Sequence, residues 1–118
     1  MADIPASFRL SVPDNFGVDI SADAGDVVVA VRGELDVLTA PFLWEQIEPV
    51  LPTVTGKLVL DFTDLSFIDS MGLGVLVRAQ SRMRGEESER QIVIRNPNAH
   101  SRKVFEITGL DRVLDIES

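Results

Sequence analysis

Apolar positions along this chain switch between two periods, and the switches mark out its elements. Val27 to Arg32 is a β-branched run that predicts a strand, and Gly17 to Ser21 predicts another before it. Between them, Ser21-Ala22-Asp23-Ala24-Gly25-Asp26 reads as a turn in which Gly25 takes a positive φ. The two strands therefore form an antiparallel hairpin. From Ala40 to about Leu51 the period becomes helical, with Leu43, Ile47, Val50 and Leu51 on one face. Thr39 is the expected N-cap, Pro41 suits the first turn, and Pro49 kinks or ends the helix early.

Lys57 to Phe62 reads as a buried strand, followed by a short loop carrying Leu65, Phe67 and Ile68. Ser70 to Arg84 predicts a second helix, with Leu73, Leu76, Val77, Gln80 and Met83 on one stripe and Gly85 as its stop. Gly85 to Arg90 is a solvated loop. Gln91 to Arg95 alternates about Ile92 and Ile94 and predicts a strand. Asn98 caps a third helix carrying Val104 and Ile107 and closed by Gly109; Val113 to Ile116 is a short last strand. Residues 1–15, with Pro5 and Pro13, read as an arm, in which Phe8, Leu10 and Val12 alternate as an added edge strand would.

The order β-β-α-β-α-β-α-β places the chain in the α/β class. It predicts one domain over 16–118: an N-terminal antiparallel hairpin on a mostly parallel, mixed sheet with three to four helices and right-handed crossovers. In such a sheet the carboxyl ends of the parallel strands and the starts of the following helices gather along one edge, where sites are placed. Three segments should meet there: Glu34-Leu35-Asp36 to Thr39, Asp64 to Ser70, and Asn96 to Asn98.

Composition narrows the functions open to that edge. The 118 residues suit one domain large enough to fold without a staple, and the absence of cysteine excludes disulfides, thiolate catalysis and Cys-based zinc sites. The longest apolar runs are too short to cross a bilayer, and Met1-Ala2-Asp3-Ile4-Pro5 is no signal peptide, so the expectation is a cytoplasmic protein without a membrane partner. A net charge of −8 argues against nucleic acid, whose binding rests on cations that neutralise phosphates. It fits a protein partner with a basic face, and equally a charge that only confers solubility.

The most informative stretch is LVLDFTDLSFIDSMGLGVL, Leu58 to Leu76. A strand ends, and Asp69-Ser70-Met71-Gly72-Leu73-Gly74 opens a helix, so Ser70 lies where unpaired N–H groups and the positive end of the helix dipole converge. A phosphate on Ser70 would suit its own helix and add about −1.5 to −2 charge beside Asp69 and near Asp36, which a docked partner would not tolerate. Gly72 and Gly74 leave a bare surface for close approach, at a cost in helix propensity. A purely structural account stands beside this one: Asp69 or Ser70 caps the helix, and the glycines let it pack on the sheet.

The stretch D-L-S-F-I-D-S-M-G-L-G at 64–74 resembles the signature of STAS domains, specifically the bacterial anti-sigma factor antagonists. G-E-L-D at 33–36 followed by T-A-P at 39–41 resembles that family's second landmark, and the likeness covers about residues 17–116. The resemblance implies a regulatory binding protein, not an enzyme, without a cofactor or bound metal. It implies that Ser70 is the phosphoacceptor, that an anti-sigma factor with serine kinase activity supplies the phosphate from ATP, and that a serine phosphatase removes it. The unphosphorylated form would bind the anti-sigma factor and free the sigma factor. Asp36, Thr39, Asp69, Met71, Gly72, Leu73 and Gly74 are the interface candidates. Met71 departs from the small residue many members carry there and adds an apolar knob beside the site. The alternative within the same fold is a scaffold or transporter-associated regulatory subunit without a phosphoswitch.

Other chemistries fit less well. Gly-x-Ser-x-Gly fails because Ile68 replaces the first glycine, and His100, the one histidine, reads as a surface residue rather than a base. Asp61, Asp64 and Asp69 lack the lysine placement of a phosphoacceptor-aspartate site, since Lys57 and Lys103 stand elsewhere; Asp61 is expected to bond to backbone and Asp64 to shape a turn. No Gly-Lys-Ser/Thr phosphate loop is present. Trp44 is expected on the outer side of the first helix as a partner anchor, and Arg78, Arg82 and Arg84 as a solvated row.

Overall fold

The computed structural model describes residues 12–83 and 91–117. The hairpin forms as expected but with a tighter turn. Strand β1 (Gly17–Asp23) pairs antiparallel with β2 (Asp26–Leu35) all the way to Asp23↔Asp26. The turn is only Ala24-Gly25, both at positive φ, the geometry whose twist matches a two-residue hairpin. β2 is longer than its β-branched run, because Gly33, Glu34 and Leu35 continue pairing across a bulge between Gly33 and Glu34.

Helix α1 (Ala40–Ile47) ends four residues short of the expected Leu51, and the chain continues as a 3₁₀ segment from Glu48 to Thr53. Pro49 and Pro52 explain the change, since each lacks the N–H an α-helix needs. Strand β3 (Lys57–Asp61) follows, then β4 (Leu65–Ile68), which the apolar pattern reads only as a loop. Helix α2 (Ser70–Met83), strand β5 (Gln91–Arg95), helix α3 (Ala99–Thr108) and the two-residue strand β6 (Asp115–Ile116) complete the order. The expected stop of the second helix at Gly85 and the 85–90 loop lie outside the described residues, as do residues 1–11 of the arm.

The sheet runs β1-β2-β3-β5-β6, with β2, β3, β5 and β6 mutually parallel; β4 pairs separately with the far end of β2. Each parallel step moves in the same direction, so right-handed crossovers place all three helices on one face. Val29, Leu58, Leu60, Ile92 and Ile94 point into that face and meet Leu43, Leu76 and Phe105 from the helices.

Two side-chain placements on the helices differ from the periodic reading. On α2 the buried stripe is Gly72, Leu73, Val75, Leu76, Ala79 and Met83, while Val77 is exposed. On α3 Ser101 and Phe105 face the core, Val104 is partly buried, and Ile107 stands out in solvent. The ends of α3 agree with the sequence: the Asn98 side chain accepts from Ser101 N at 2.8 Å, and Gly109 takes a left-handed φ of 78°.

Candidate functional site

The three expected segments do meet at the carboxyl edge of the sheet, and backbone bonds lock them together. Asp69 N donates to Leu35 O at 3.1 Å, and Gly33 N donates to Asp64 O at 3.0 Å. Asn98 Nδ2 reaches the carbonyls of Leu65 and Ser66, and Asn96 Nδ2 donates to Thr63 Oγ1. Asp61 Oδ1 accepts from the backbone and hydroxyl of Thr63, in line with its expected backbone role.

The 33–41 segment is organised by an exchange between Asp36 and Thr39. Asp36 Oδ1 accepts from Leu38 N at 3.0 Å and Thr39 N at 3.3 Å, and Ala40 N donates to Asp36 O. Thr39 Oγ1 returns a contact to Asp36 N and donates to Glu34 O, each at 2.8 Å. Asp36 is therefore the cap of the turn leading into α1, a reciprocal arrangement like a capping box. Thr39 occupies the N-cap position of α1 as expected, though its side chain makes no cap bond to the helix; it is 1% exposed, so its expected place in an interface is corrected to one shaping the loop from inside.

At the start of α2 the capping residue is Asp69. Its Oδ1 accepts from Met71 N at 2.9 Å and Gly72 N at 3.2 Å, and Leu73 N donates to Asp69 O. Ser70 is consequently the first helical residue. It is exposed, and among the described residues its hydroxyl has no hydrogen-bond partner. Two of the first N–H donors of this helix, Met71 N and Gly72 N, are held by the Asp69 carboxylate, so of the expected helix-start donors only Ser70 N is left for a phosphate on Ser70.

The interface candidates divide by the direction they face. Met71 is half exposed. A Cβ at Gly74 would meet no atom within 4 Å. Gly72 and Leu73 are instead buried, and a Cβ on Gly72 would lie 2.8 Å from Ile68 Cγ1 and Leu35 Cγ. Gly72 thus lets α2 close on β2 and β4, and its expected role in partner docking is corrected to one in packing.

A groove of about 400 Å³ opens between α1 and α2. Its α2 wall runs from Ser70 through Met71 and Gly74 to Arg78; its α1 wall includes Pro41, Trp44 and Glu45. Trp44 is not an outward anchor: it is 8% exposed, wedged against α2. The Arg78 guanidinium lies 4.3 Å from its ring centroid and that of Arg82 5.4 Å, while Arg82 also pairs with Glu48 at 3.0 Å. These two arginines are solvent-exposed, as expected of the row, and also cover an aromatic ring; Arg84 lies outside the described residues. A second unforeseen contact supports β4, where His100 stacks on Phe67 at 5.0 Å and its Nε2 lies 3.4 Å from Ile68 O.

This arrangement belongs to a known family. The family model described as "Mlab, STAS domain" matches residues 18–115, and the chain is a member of the STAS domain family. Among curated relatives, the anti-sigma-B factor antagonist of Bacillus subtilis is 32% identical over 104 residues, covering 88% of this chain and 93% of that protein. The anti-sigma-F factor antagonist RsfB of Mycobacterium tuberculosis is 30% identical over 109 residues, covering 92% and 87%. Among solved structures, an anti-sigma factor antagonist from Mycobacterium paratuberculosis superposes with a TM-score of 0.75 at 31% identity, covering 90% of this chain and 88% of that one. The Bacillus cell fate determinant SpoIIAA in its phosphorylated form superposes with a TM-score of 0.65 at 26% identity, covering 87% and 91%.

Proposed function

We propose that this chain is an anti-sigma factor antagonist whose binding is switched off by phosphorylation of Ser70. The observation that carries the reading is the isolation of the Ser70 hydroxyl. It is exposed and without a hydrogen-bond partner among the described residues, at the first position of α2, while Asp69 and Gly72 beside it are committed to cap and core. The names of the relatives support the same reading, and SpoIIAA, of the same fold, exists in a phosphorylated form.

The partner is an anti-sigma factor with serine kinase activity. In the transfer, Ser70 Oγ forms a bond to the γ-phosphorus of ATP as the bond to the bridging oxygen of ADP breaks, and the hydroxyl proton passes to a base of the kinase. The new charge of about −1.5 to −2 stands beside Asp69 and repels a docked surface that accepted the neutral hydroxyl. A serine phosphatase resets the switch. The chain acts by binding, in the cytoplasm. Among the described residues no helix is long and apolar enough to cross a membrane.

The test is incubation with ATP and lysate of the native host, followed by fragment mapping of any phosphate. A single phosphate on Ser70, with the partner captured by the unmodified protein alone, is the expected result. Stable capture of a partner with no modification of Ser70 overturns the switch and favours a scaffold or transporter-associated role.

A further inference from the structure

The phosphate on Ser70 needs a receiver, and the start of its own helix leaves it a single unbonded backbone donor, Ser70 N, which carries no full charge. Met71 N and Gly72 N are already bonded to the Asp69 carboxylate, itself an anion beside the modified group. The cation that shares the groove with Ser70 is Arg78. We propose that Arg78 is the receiver: on phosphorylation its guanidinium leaves the Trp44 ring, pairs with the phosphate over Gly74, and closes the groove between α1 and α2. The inference rests on Ser70 being the modified residue.

Ser70, Gly74 and Arg78 are spaced i, i+4, i+8, successive positions down one side of α2. The rise between the ends is about 12 Å. A long side chain on a helix leans toward the N-terminus, which brings the Arg78 head back toward Ser70. Gly74, the residue between, has no side chain, and its Cβ position is empty to 4 Å, so no side chain occupies that intermediate position. Arg78 is also the arginine free to move. Among the described residues it makes no salt bridge and holds only the Trp44 face at 4.3 Å, whereas Arg82 is tied to Glu48. A guanidinium–phosphate pair is charge-assisted and fits a bidentate fork, roughly twice as strong as neutral hydrogen bonds, and it outcompetes an exposed cation–π contact. The switch then acts twice: added charge repels the partner, and the Arg78 head fills the slot beside Ser70.

The experiment installs phosphoserine at position 70 of the full chain through an expanded genetic code, so no kinase is needed. The phosphate is titrated by ³¹P NMR in the Arg78, Arg78→Gln and Arg78→Lys backgrounds. Emission of Trp44, the chain's one tryptophan, is recorded with and without the phosphate. The expected result is a titration midpoint lower by about half a pH unit with Arg78 or Lys than with Gln, a gap that narrows in high salt. Trp44 emission should change on phosphorylation with Arg78 and stay constant with Arg78→Gln. Equal midpoints for Arg78 and Arg78→Gln overturn the proposal, whatever Trp44 reports. Failure of a host kinase to modify Ser70 would remove the proposed function but leave this contact measurable, so the two failures are distinct.

Discussion

The amide of Asp69 donates to the carbonyl of Leu35 across 3.1 Å, and this bond ties the start of α2 to the end of β2. The two sequence landmarks, 33–41 and 64–74, are separated along the chain yet share this joint. Each is capped by its own aspartate, Asp36 on one side and Asp69 on the other. Ser70 therefore projects from a corner fixed on both sides by capped, bonded backbone.

Removing the cap should loosen that corner. Asp69→Ala loses the acceptor for Met71 N and Gly72 N and is expected to cost about 1 kcal/mol. For a domain of this size that lowers the thermal midpoint by about 4 °C. Asp69→Asn, which keeps a capping oxygen, should retain most of the stability. Urea denaturation of the two variants beside the wild type measures the difference.

The two glycines of α2 should respond in opposite directions. Gly72→Val places carbon against Leu35 and Ile68, and the overpacking should destabilise by about 1 to 3 kcal/mol. Gly74→Ala meets nothing and should stabilise the helix by up to about 1 kcal/mol. The same methyl narrows the groove beside Ser70, so partner affinity should fall although the fold is firmer. Thermal unfolding and a binding isotherm on each variant check both statements.

Thr39→Val keeps shape but removes a buried hydroxyl that serves Glu34 O and Asp36 N. Leaving those groups unpaired should cost about 1 to 3 kcal/mol. Thr39→Ser should be far milder, because it restores the oxygen. Equal chemical-denaturation midpoints for the Val and Ser variants would show that the hydroxyl does not organise the loop.

Ser70 itself should be nearly silent in stability, since its exposed hydroxyl bonds to nothing among the described residues. Ser70→Ala is expected within about 0.5 kcal/mol of wild type and locked in the binding-competent state. Ser70→Glu should weaken partner binding by charge and bulk. Affinities measured by calorimetry against the purified anti-sigma factor should rank Ala and wild type together, with Glu well below. Equal affinity for all three, and for the phosphorylated protein, would remove the switch.

Much of this was legible in the residues because it is local. The β-branched run at Val27–Val31, the Asn98 cap and the Gly109 stop each act within a few positions, and the structure keeps all three. The same holds for the helix start at Asp69-Ser70, where the sequence offered either residue as the cap and the structure assigns it to Asp69. What escaped was never local. β4 has four residues, too few for a period to register, and it exists as a strand because Gly33 to Leu35 of β2 pair with it and Asn98 clamps its carbonyls.

Apart from β4, the chain's order of elements, its single-domain α/β class and the sheet edge at which Asp36, Asp69 and Ser70 lie follow from the sequence alone. Backbone preference, capping and turn chemistry act over short spans, and the order of strands and helices limits how a parallel sheet can be wound. Only the tertiary structure decided which side each residue faces. Gly72 and Gly74 are two positions apart on one helix, yet one meets Leu35 and the other meets open space. Trp44 is buried because α2 lies over it and two arginines cover its ring. Burial is a property of what packs opposite, and no stretch of chain carries its opposite neighbour within it.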